Sequence, residues 1–184
     1  VSAEAASCCS SSALSGVVNV NTASAEEIPP GYQAIALEQA IPAPLLYAIA
    51  LTESGQHRLS QQRWRPWPWT LNVSGQGQFF ASREAAWQAL QRALADDAAS
   101  VDIGLMQVNW RYHQRALGSP WQSLEPYHNL RVGAAILKRC HFLRVDWWDS
   151  VGCYHAPNDP SRAQKYSERV KGHWRALNPE PREG

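Results

Sequence analysis

Residues 104–109 read Gly-Leu-Met-Gln-Val-Asn, and a Thr-Glu-Ser-Gly run precedes them at residues 52–55. The earlier run closes an apolar stretch in which Leu45, Ile49 and Glu53 recur at the spacing of one helix face. Two prolines before that stretch suit the first turn of a helix, and the glycine of the run suits its end. The sequence therefore predicts an apolar helix that ends on a carboxylate, with a distinct glycine-containing segment further along the chain.

The carboxyl group of Glu53 is the first candidate for chemistry. Desolvation beside apolar side chains disfavours its charged form, and the negative end of the helix dipole repels it, so both effects raise its pKa. A carboxylic acid that keeps its proton near neutrality can act as the general acid that protonates a glycosidic oxygen. By itself the position is weak support, because a glutamate near a helix end is more often a solvated residue. If Glu53 is the acid, activity falls as pH rises past its raised pKa.

The composition fits one globular domain with a substantial core. The chain has 184 residues, and 17 Lys plus Arg against 16 Asp plus Glu give a net charge of +1. That balance lacks the large basic excess of a general nucleic-acid or membrane-surface binder, so neither partner is expected. Nine tryptophans suit sugar rings as well as a protein core, and most are expected in the core. No segment approaches the roughly 20 apolar residues of a membrane-spanning helix.

The first 25 residues are rich in Ser and Ala and end in Ala-Ser-Ala at residues 23–25. Such a run is typical of a signal-peptidase site, which would export the mature domain to the periplasm or cell envelope. No Lys or Arg precedes the weak apolar run and serines interrupt it, so a disordered leader is an equal alternative. Residues 179–184 are expected to fray, and the predicted domain therefore spans 26–178.

The cysteines outside the leader are Cys140 and Cys153. An even pair in an exported domain predicts a disulfide, and closing so short a loop stabilises a fold by roughly 3 kcal/mol in the chain-entropy description. Two buried free thiols are the alternative. A zinc site that combines both cysteines with His141 and His155 is a further, weaker alternative, because neighbouring residues would have to share one ion. No metal or other cofactor is predicted.

Apolar spacing and turn signals predict a mainly α (α+β) chain with one small β-hairpin. The predicted helices cover Gly31–Ile41, the segment from Pro42 to Gly55, a helix capped by Ser82, Trp110–Leu117, a helix opened by Pro126, Trp147–Tyr154 capped by Asp146, and a last helix capped by Ser161. The hairpin joins Trp69–Val73 to Gln78–Ala81 through a Ser-Gly-Gln-Gly turn. Residues 58–68, rich in Gln, Arg, Trp and Pro, are predicted to be a loop.

A third motif, Cys-Tyr-His, follows at residues 153–155. In this order the three motifs resemble those of the family 1 soluble lytic transglycosylases, whose pattern is a Glu-Ser pair, Gly-Leu-Met-Gln and Ala-Tyr-Asn. The resemblance covers residues 35–174 and implies a lysozyme-like, mostly α fold with a small β-hairpin insertion. It also implies cleavage of the β-1,4 bond between N-acetylmuramic acid and N-acetylglucosamine in peptidoglycan, with a 1,6-anhydro product.

In that family one carboxyl group acts first as acid and then as base, so the resemblance assigns this catalytic role to Glu53. Ser54 would orient the substrate or the carboxyl group, Gly104 would let the backbone pass close to the sugar, and the Tyr154 hydroxyl would reach Glu53. A helix-end serine and a core tyrosine are the plain alternatives for Ser54 and Tyr154. The implied substrate-binding residues, of which Met106 and Gln107 would line the cleft, are Ser54, Gly104, Leu105, Met106, Gln107, Asn109, Tyr154 and His155.

The chain departs from the family pattern in two places. His155 replaces an asparagine that is credited with a sugar-amide contact, and the segment between Glu53 and Gly104 is long. Such an insertion resembles transglycosylases of conjugation and type IV secretion systems, so that machinery is an expected partner besides peptidoglycan. The insertion would roof the cleft if Trp67 or Trp69 stacks on sugar rings, although core packing is the plainer role for each.

Two alternatives to transglycosylation stay open. A goose-type lysozyme on the same fold would use a second carboxylate such as Asp102 to activate water. A glycan-binding or scaffold module of a secretion apparatus would have lost activity, and the presence of Glu53 argues against that alternative. A monomer is expected in each case.

Overall fold

The computed structural model describes residues 27–58, 63–96 and 99–178. The predicted leader at residues 1–25 and the predicted frayed tail at residues 179–184 lie outside the described residues. Within the described ranges the chain is mainly helical, with short antiparallel strands, and the predicted fold class is confirmed.

The helices and strands alternate in groups along the chain. The described helices are α1 (Pro30–Glu38), α2 (Ala43–Ser54), α3 (Arg83–Leu94), α4 (Trp110–Leu117), α5 (Pro120–Ser123), α6 (Pro126–Arg144), α7 (Trp147–His155) and α8 (Pro160–Leu177). The described strands are β1 (Gly55–Arg58), β2 (Arg63–Pro66), β3 (Thr70–Val73), β4 (Gln76–Phe79), β5 (Val101–Ile103) and β6 (Val108–Asn109).

Helix α2 is the centre of the core because it is apolar on every side. Its residues from Leu45 to Leu51 are each at most 3% exposed. Helices α1 and α8 and strand β2 all pack against it. Burial of one leucine or isoleucine side chain contributes about 1.5–3 kcal/mol, so α2 is a major source of the fold's stability. Glu53, in the last turn of this helix, is therefore carried by a rigid element.

Helices α6, α7 and α8 pack side by side, and a disulfide joins the first two. The disulfide links Cys140 to Cys153, whose Cα atoms are 5.9 Å apart, within the usual range for such a bond. The disulfide prediction is confirmed. Both sulfur atoms are consumed by it, so the zinc alternative that used the two thiols together with His141 and His155 was wrong.

The strands form two sheets where the sequence predicted one hairpin. Strands β3 and β4 form a hairpin at the predicted place, but β4 covers Gln76–Phe79 in place of the predicted Gln78–Ala81 because the turn has only two residues, Ser74 and Gly75, with φ angles of 50° and 89°. Positive φ angles at both central residues are required by a type I′ turn, whose backbone twist matches the right-handed twist of the two strands. The prediction of a loop over residues 58–68 was wrong at Arg58 and at residues 63–66, because β1 and β2 pair antiparallel with Gly55 opposite Pro66, while residues 59–62 lie outside the described residues. The Trp64 indole anchors this second hairpin by donating a hydrogen bond to a carbonyl of α2 at 3.2 Å.

Two helix boundaries differ from the prediction for local reasons. Helix α1 ends at Glu38, short of the predicted Ile41, because Ala40 takes a positive φ of 50°. Helix α8 begins at Pro160, and its cap is Asp159 in place of the predicted Ser161. Among the described helices none is by itself long and apolar enough to cross a membrane; α1 and α2 reach that composition only as a pair, which is bent by 116°.

Candidate active site

Glu53 lies in the last turn of α2 with its side chain partly buried. Tyr166 of α8 donates its hydroxyl hydrogen to Glu53 Oε1, and the two oxygens are 2.6 Å apart. The two residues are 113 positions apart in the chain, and they meet because α2 and α8 pack along each other. The site is thus built on two helices of the rigid core.

Burial raises the pKa of Glu53 from its ordinary 4.5 to about 7. The hydrogen bond from Tyr166 and the positive charge of Arg169 lower that pKa, and the negative charge of Asp102 raises it. Desolvation exceeds the opposing effects, so the carboxyl group is about half protonated near neutral pH. The direction predicted from the sequence is confirmed.

Residues 104–107, here called the GLMQ loop, connect β5 to β6 in a tight turn. The loop has positive φ angles at both ends, 79° at Gly104 and 43° at Gln107. The Gln107 side chain closes the turn, because its Nε2 donates to the Gly104 carbonyl at 2.9 Å and to the Thr70 carbonyl at 3.3 Å. The loop therefore has one fixed shape.

Asn129 of α6 holds the GLMQ loop in place. Its side chain is fully buried; Oδ1 accepts from the Met106 N–H at 3.0 Å, and Nδ2 donates to the carbonyls of Ile103 at 2.8 Å and Ser123 at 3.2 Å. A Cβ on Gly104 would lie 2.6 Å from this amide, so glycine is required there by the close approach as well as by its φ angle.

Two hydroxyl groups fix the loop against the helices around Glu53. Ser54 Oγ donates to the Leu105 carbonyl at 2.8 Å, and Tyr154 Oη donates to the Met106 carbonyl at 2.6 Å. Both donors are on helices, α2 and α7. The GLMQ loop is thereby seated at the end of α2, next to the carboxyl group.

A row of polar side chains crosses the sheet beside the loop. Asn72, Asp102 and Asn109 are register neighbours on β3, β5 and β6. The Asp102 carboxylate accepts from Asn109 Nδ2 at 2.7 Å and from Asn72 Nδ2 at 3.4 Å. Burial raises the pKa of Asp102, and the bond from Asn109 opposes that rise. Within the part of the chain that the structure describes, Oδ1 of each asparagine is buried without a hydrogen-bond partner.

Residues 32–176 match the Transglycosylase SLT domain. The chain belongs to this family. Members of the SLT family are lytic transglycosylases, enzymes of peptidoglycan, and the mainly α lysozyme-like fold described above agrees with that membership. Comparison with curated proteins and with solved structures gave no match.

In this SLT domain the tyrosine that contacts Glu53 is Tyr166, and the contact predicted for the Tyr154 hydroxyl was wrong. The Tyr154 hydroxyl bonds instead to the Met106 carbonyl, because α7 places it beside the GLMQ loop. The sequence motifs did not single out Tyr166 as a site residue. Tyr166 is 1% exposed, and the need of a buried hydroxyl for a partner was the signal that could have found it.

The GLMQ side chains of the SLT domain serve mainly to build the loop. Met106 is fully buried against α6, and a Cβ added to Gly133 of that helix would lie 2.5 Å from the Met106 Cβ. The prediction that Met106 lines a cleft was therefore wrong. Leu105 is also buried. Ser54 was predicted to orient the substrate or the carboxyl group, and its hydroxyl instead donates to a loop carbonyl, while a contact with substrate stays a prediction. Its contribution to Glu53 is through the position of the loop.

Two further predictions concern Gly104 and the polar loop residues. The backbone at Gly104 closely approaches the Asn129 amide, and this contact requires a residue without a Cβ. The sequence did not show this structural requirement for glycine. Gln107 and Asn109 are partly buried and already have partners inside the protein. Direct sugar contacts by these residues stay predictions.

His155 lies beside Tyr166, and its predicted contact with the sugar stays a prediction. Its ring stacks on the ring of Tyr166, with centroids 4.3 Å apart and planes 2° from parallel. Burial, followed by the positive charges of Arg169 and Arg162, lowers the pKa of His155. A neutral imidazole is therefore the favoured form next to Glu53.

The inserted tryptophans pack on each other. Trp67 and Trp69 meet edge to face with ring centroids 5.2 Å apart, and Trp67 Nε1 donates to the Phe80 carbonyl at 2.7 Å. These contacts give Trp67 the packing role that the sequence favoured. A sugar contact by Trp69, whose ring nitrogen is buried without a partner among the described residues, stays a prediction.

Proposed function

We propose that the protein cleaves the β-1,4 bond between N-acetylmuramic acid and N-acetylglucosamine in peptidoglycan and closes the muramoyl product into a 1,6-anhydro ring. The observation that carries the proposal is a partly buried Glu53, whose pKa is raised to about 7 and whose carboxyl group accepts a hydrogen bond from Tyr166. A carboxyl group poised near neutrality can both give and take a proton in one catalytic cycle.

In the first step, protonated Glu53 donates its proton to the glycosidic oxygen as the bond from that oxygen to the anomeric carbon breaks. The carbonyl oxygen of the substrate's own acetamido group attacks the same carbon and stabilises the intermediate. This internal nucleophile removes the need for a second catalytic carboxylate.

In the second step, the Glu53 carboxylate takes the proton of the muramoyl 6-hydroxyl, and that oxygen attacks the anomeric carbon. The acetamido oxygen leaves, the anhydro ring forms, and Glu53 is protonated again. The hydrogen bond from Tyr166 stabilises the carboxylate between the two steps, because it favours the charged form. Holding the 6-hydroxyl close to the carbon favours ring closure over attack by water.

The contacts of Asp102 bear on the hydrolytic alternative. Its two oxygens already accept hydrogen bonds from Asn109 and Asn72. These contacts support a role in building the polar row rather than in activating water.

Product analysis on purified peptidoglycan tests the proposal. Wild-type protein should release fragments with anhydro ends, which are lighter by one water than the reducing ends of a hydrolase. Glu53→Gln should lose turbidity-clearing activity by several orders of magnitude, and the exposed Glu168→Gln is the matched control with activity retained. Reducing ends would establish the lysozyme alternative, and no release by the wild type would establish an inactive binding module.

We also propose that the enzyme opens the wall locally in the cell envelope, for a conjugation or type IV secretion apparatus. A disulfide suits an oxidising compartment, and the hairpins inserted after Glu53 offer surface for a partner. Fractionation of cells that express the protein, with alkylation of free thiols in each fraction, tests the location: an oxidised periplasmic pool is expected, and a reduced cytoplasmic pool would contradict it.

A further inference from the structure

One face of α8 carries two arginines on either side of the tyrosine that contacts Glu53. Arg162, Tyr166 and Arg169 are spaced i, i+4 and i+7, so their side chains share a face of the helix. Tyr166 is buried, while both arginines are exposed. Together with His155 on the neighbouring α7, these arginines are called the basic face below.

The basic face is separated from the catalytic carboxyl group by a single aromatic ring. The Arg169 guanidinium carbon lies 5.4 Å from the centroid of the Tyr166 ring, and the His155 ring stacks on the same ring at 4.3 Å. The hydroxyl of that tyrosine is 2.6 Å from Glu53 Oε1. A group bound at the basic face would therefore lie beside a sugar held at Glu53.

Arg169 contacts the Tyr166 ring, but neither arginine of the basic face forms an ion pair within the residues that the structure describes. The ion pairs in the described ranges join Arg131 to Glu38 and Lys171 to Glu168, and neither involves the basic face. The nearby Asp159 caps α8 through the backbone N–H of Arg162. Moreover, the Arg169 charge lowers the pKa of Glu53, which works against a general acid that must hold its proton.

We propose that Arg162, Arg169 and His155 form a subsite for a carboxylate carried by the muramoyl residue on its lactyl or peptide substituent. Guanidinium groups bind carboxylates by charge-assisted hydrogen bonds, and a histidine ring adds one donor. A bound carboxylate also offsets the Arg169 charge felt by Glu53, so the correct substrate itself restores the protonated acid. The inference rests on the function proposed above, since it names the part of that substrate which the site recognises.

The experiment compares Arg169→Gln with wild type on three forms of the same glycan strands. The first form carries its peptides with free carboxylates, and in the second the carboxylates are converted to methylamides. The third form is treated with an amidase that removes the peptide and leaves only the lactyl carboxylate. Arg169→Lys tests rescue by charge, and Arg175→Gln is the control, because Arg175 projects from the side of α8 opposite Tyr166.

Arg169→Gln should lower kcat/KM on the peptide-bearing strands about 10-fold, the effect of one lost charge-assisted contact. On methylamidated strands the wild type should fall to the level of the variant, and Arg169→Lys should recover most of the loss. The intact strands have no free lactyl carboxylate, because that carboxyl is amide-bonded to the peptide, so dependence on Arg169 that disappears on the amidase-treated strands assigns the peptide carboxylate. Dependence that survives there shows that the subsite also accepts the lactyl carboxylate exposed by removal of the peptide. Arg175→Gln should match the wild type on every strand.

An equal loss on charged and methylamidated strands, or no loss on either, would overturn the inference. A binding experiment separates this outcome from failure of the proposed function, because binding requires no reaction. It compares the affinity of the same strands for Glu53→Gln and for the double variant that also carries Arg169→Gln. Tighter binding of charged strands that depends on Arg169 supports the subsite even if the products prove to be those of hydrolysis. Binding that ignores both the carboxylates and Arg169 refutes the subsite even if anhydro products are formed.

Discussion

Replacing Glu53 with glutamine should make the folded protein more stable at pH 8 while it removes the proton that the proposed mechanism transfers. The wild-type carboxyl group has a pKa of about 7 when folded and an ordinary value of 4.5 when exposed. Between these values the folded state binds the proton more tightly than the unfolded state, so wild-type stability decreases as pH rises from 4.5 to 7. The glutamine side chain does not ionise, so the unfolding free energy of the variant does not decrease over this pH range.

The size of the effect follows from the pKa difference. A change from 4.5 to about 7 corresponds to about 3 kcal/mol of unfolding free energy at pH 8, since each pH unit is worth about 1.36 kcal/mol. At pH 5 most of this difference is absent, because the folded wild type still holds the proton. The glutamine oxygen can accept the Tyr166 hydrogen bond in place of Oε1, so that contact is retained.

Urea unfolding of the wild type and Glu53→Gln at pH 5 and pH 8 measures the effect. The variant should gain about 3 kcal/mol at pH 8 and under about 1 kcal/mol at pH 5. Glu168→Gln is the matched control: its hydrogen bond with Lys171 lowers the pKa of Glu168, so its removal should not stabilise the protein at pH 8. The explanation by desolvation of Glu53 would be refuted if Glu53→Gln gave no increase in unfolding free energy at pH 8, or the same increase at both pH values.

Three other substitutions test the site and its support. Tyr166→Phe removes the bond that lowers the pKa of Glu53, so the alkaline limb of the kcat/KM profile should move up by about one pH unit. Asn129→Ala removes the side-chain partner of three buried backbone groups, and urea unfolding should show a loss of about 3 kcal/mol or more. Val145→Gly should raise the unfolding free energy by about 0.5–1 kcal/mol, because Val145 is 80% exposed and has a φ of 68°.

Each of these has its own control. Tyr154→Phe removes a hydroxyl that bonds to a carbonyl of the GLMQ loop, and the alkaline limb should stay where it is. A limb equally displaced in both tyrosine variants would contradict the special role of Tyr166. For Asn129→Ala, a loss below about 1 kcal/mol would mean that water replaces the amide. Val145→Ala keeps the positive φ at a residue with a Cβ, so a gain as large as that of glycine would exclude backbone strain as the cause.

Local sequence signals were sufficient for the elements that carry Glu53 and the GLMQ loop. The run from Leu45 to Leu51 is apolar at every position, which specifies a buried helix, and proline and glycine mark its two ends. The Ser74-Gly75 pair tolerates the positive φ angles of a tight hairpin. In these places each residue's own preference agrees with the fold.

The second hairpin could not be predicted in the same way. Residues 55–66 combine glycine, arginine, tryptophan and proline, without the alternation that marks a half-buried strand. Their pairing is stabilised by contacts with α2, among them the bond from the Trp64 indole to the Leu51 carbonyl. A strand whose stability comes from a neighbouring helix leaves little trace in its own sequence.

The sequence alone determined that an apolar helix ends on an acid, because spacing and helix ends depend on neighbours along the chain, and it predicted the direction of the pKa shift. Only the tertiary structure decided how far Glu53 is desolvated, which tyrosine binds it and which groups surround it. Tyr154 and Tyr166 are both aromatic residues that face inward from helices, and their sequence environments do not separate them. Their partners differ because α7 places one hydroxyl at the GLMQ loop and α8 places the other at the carboxyl group, and helix packing is a property of the whole core.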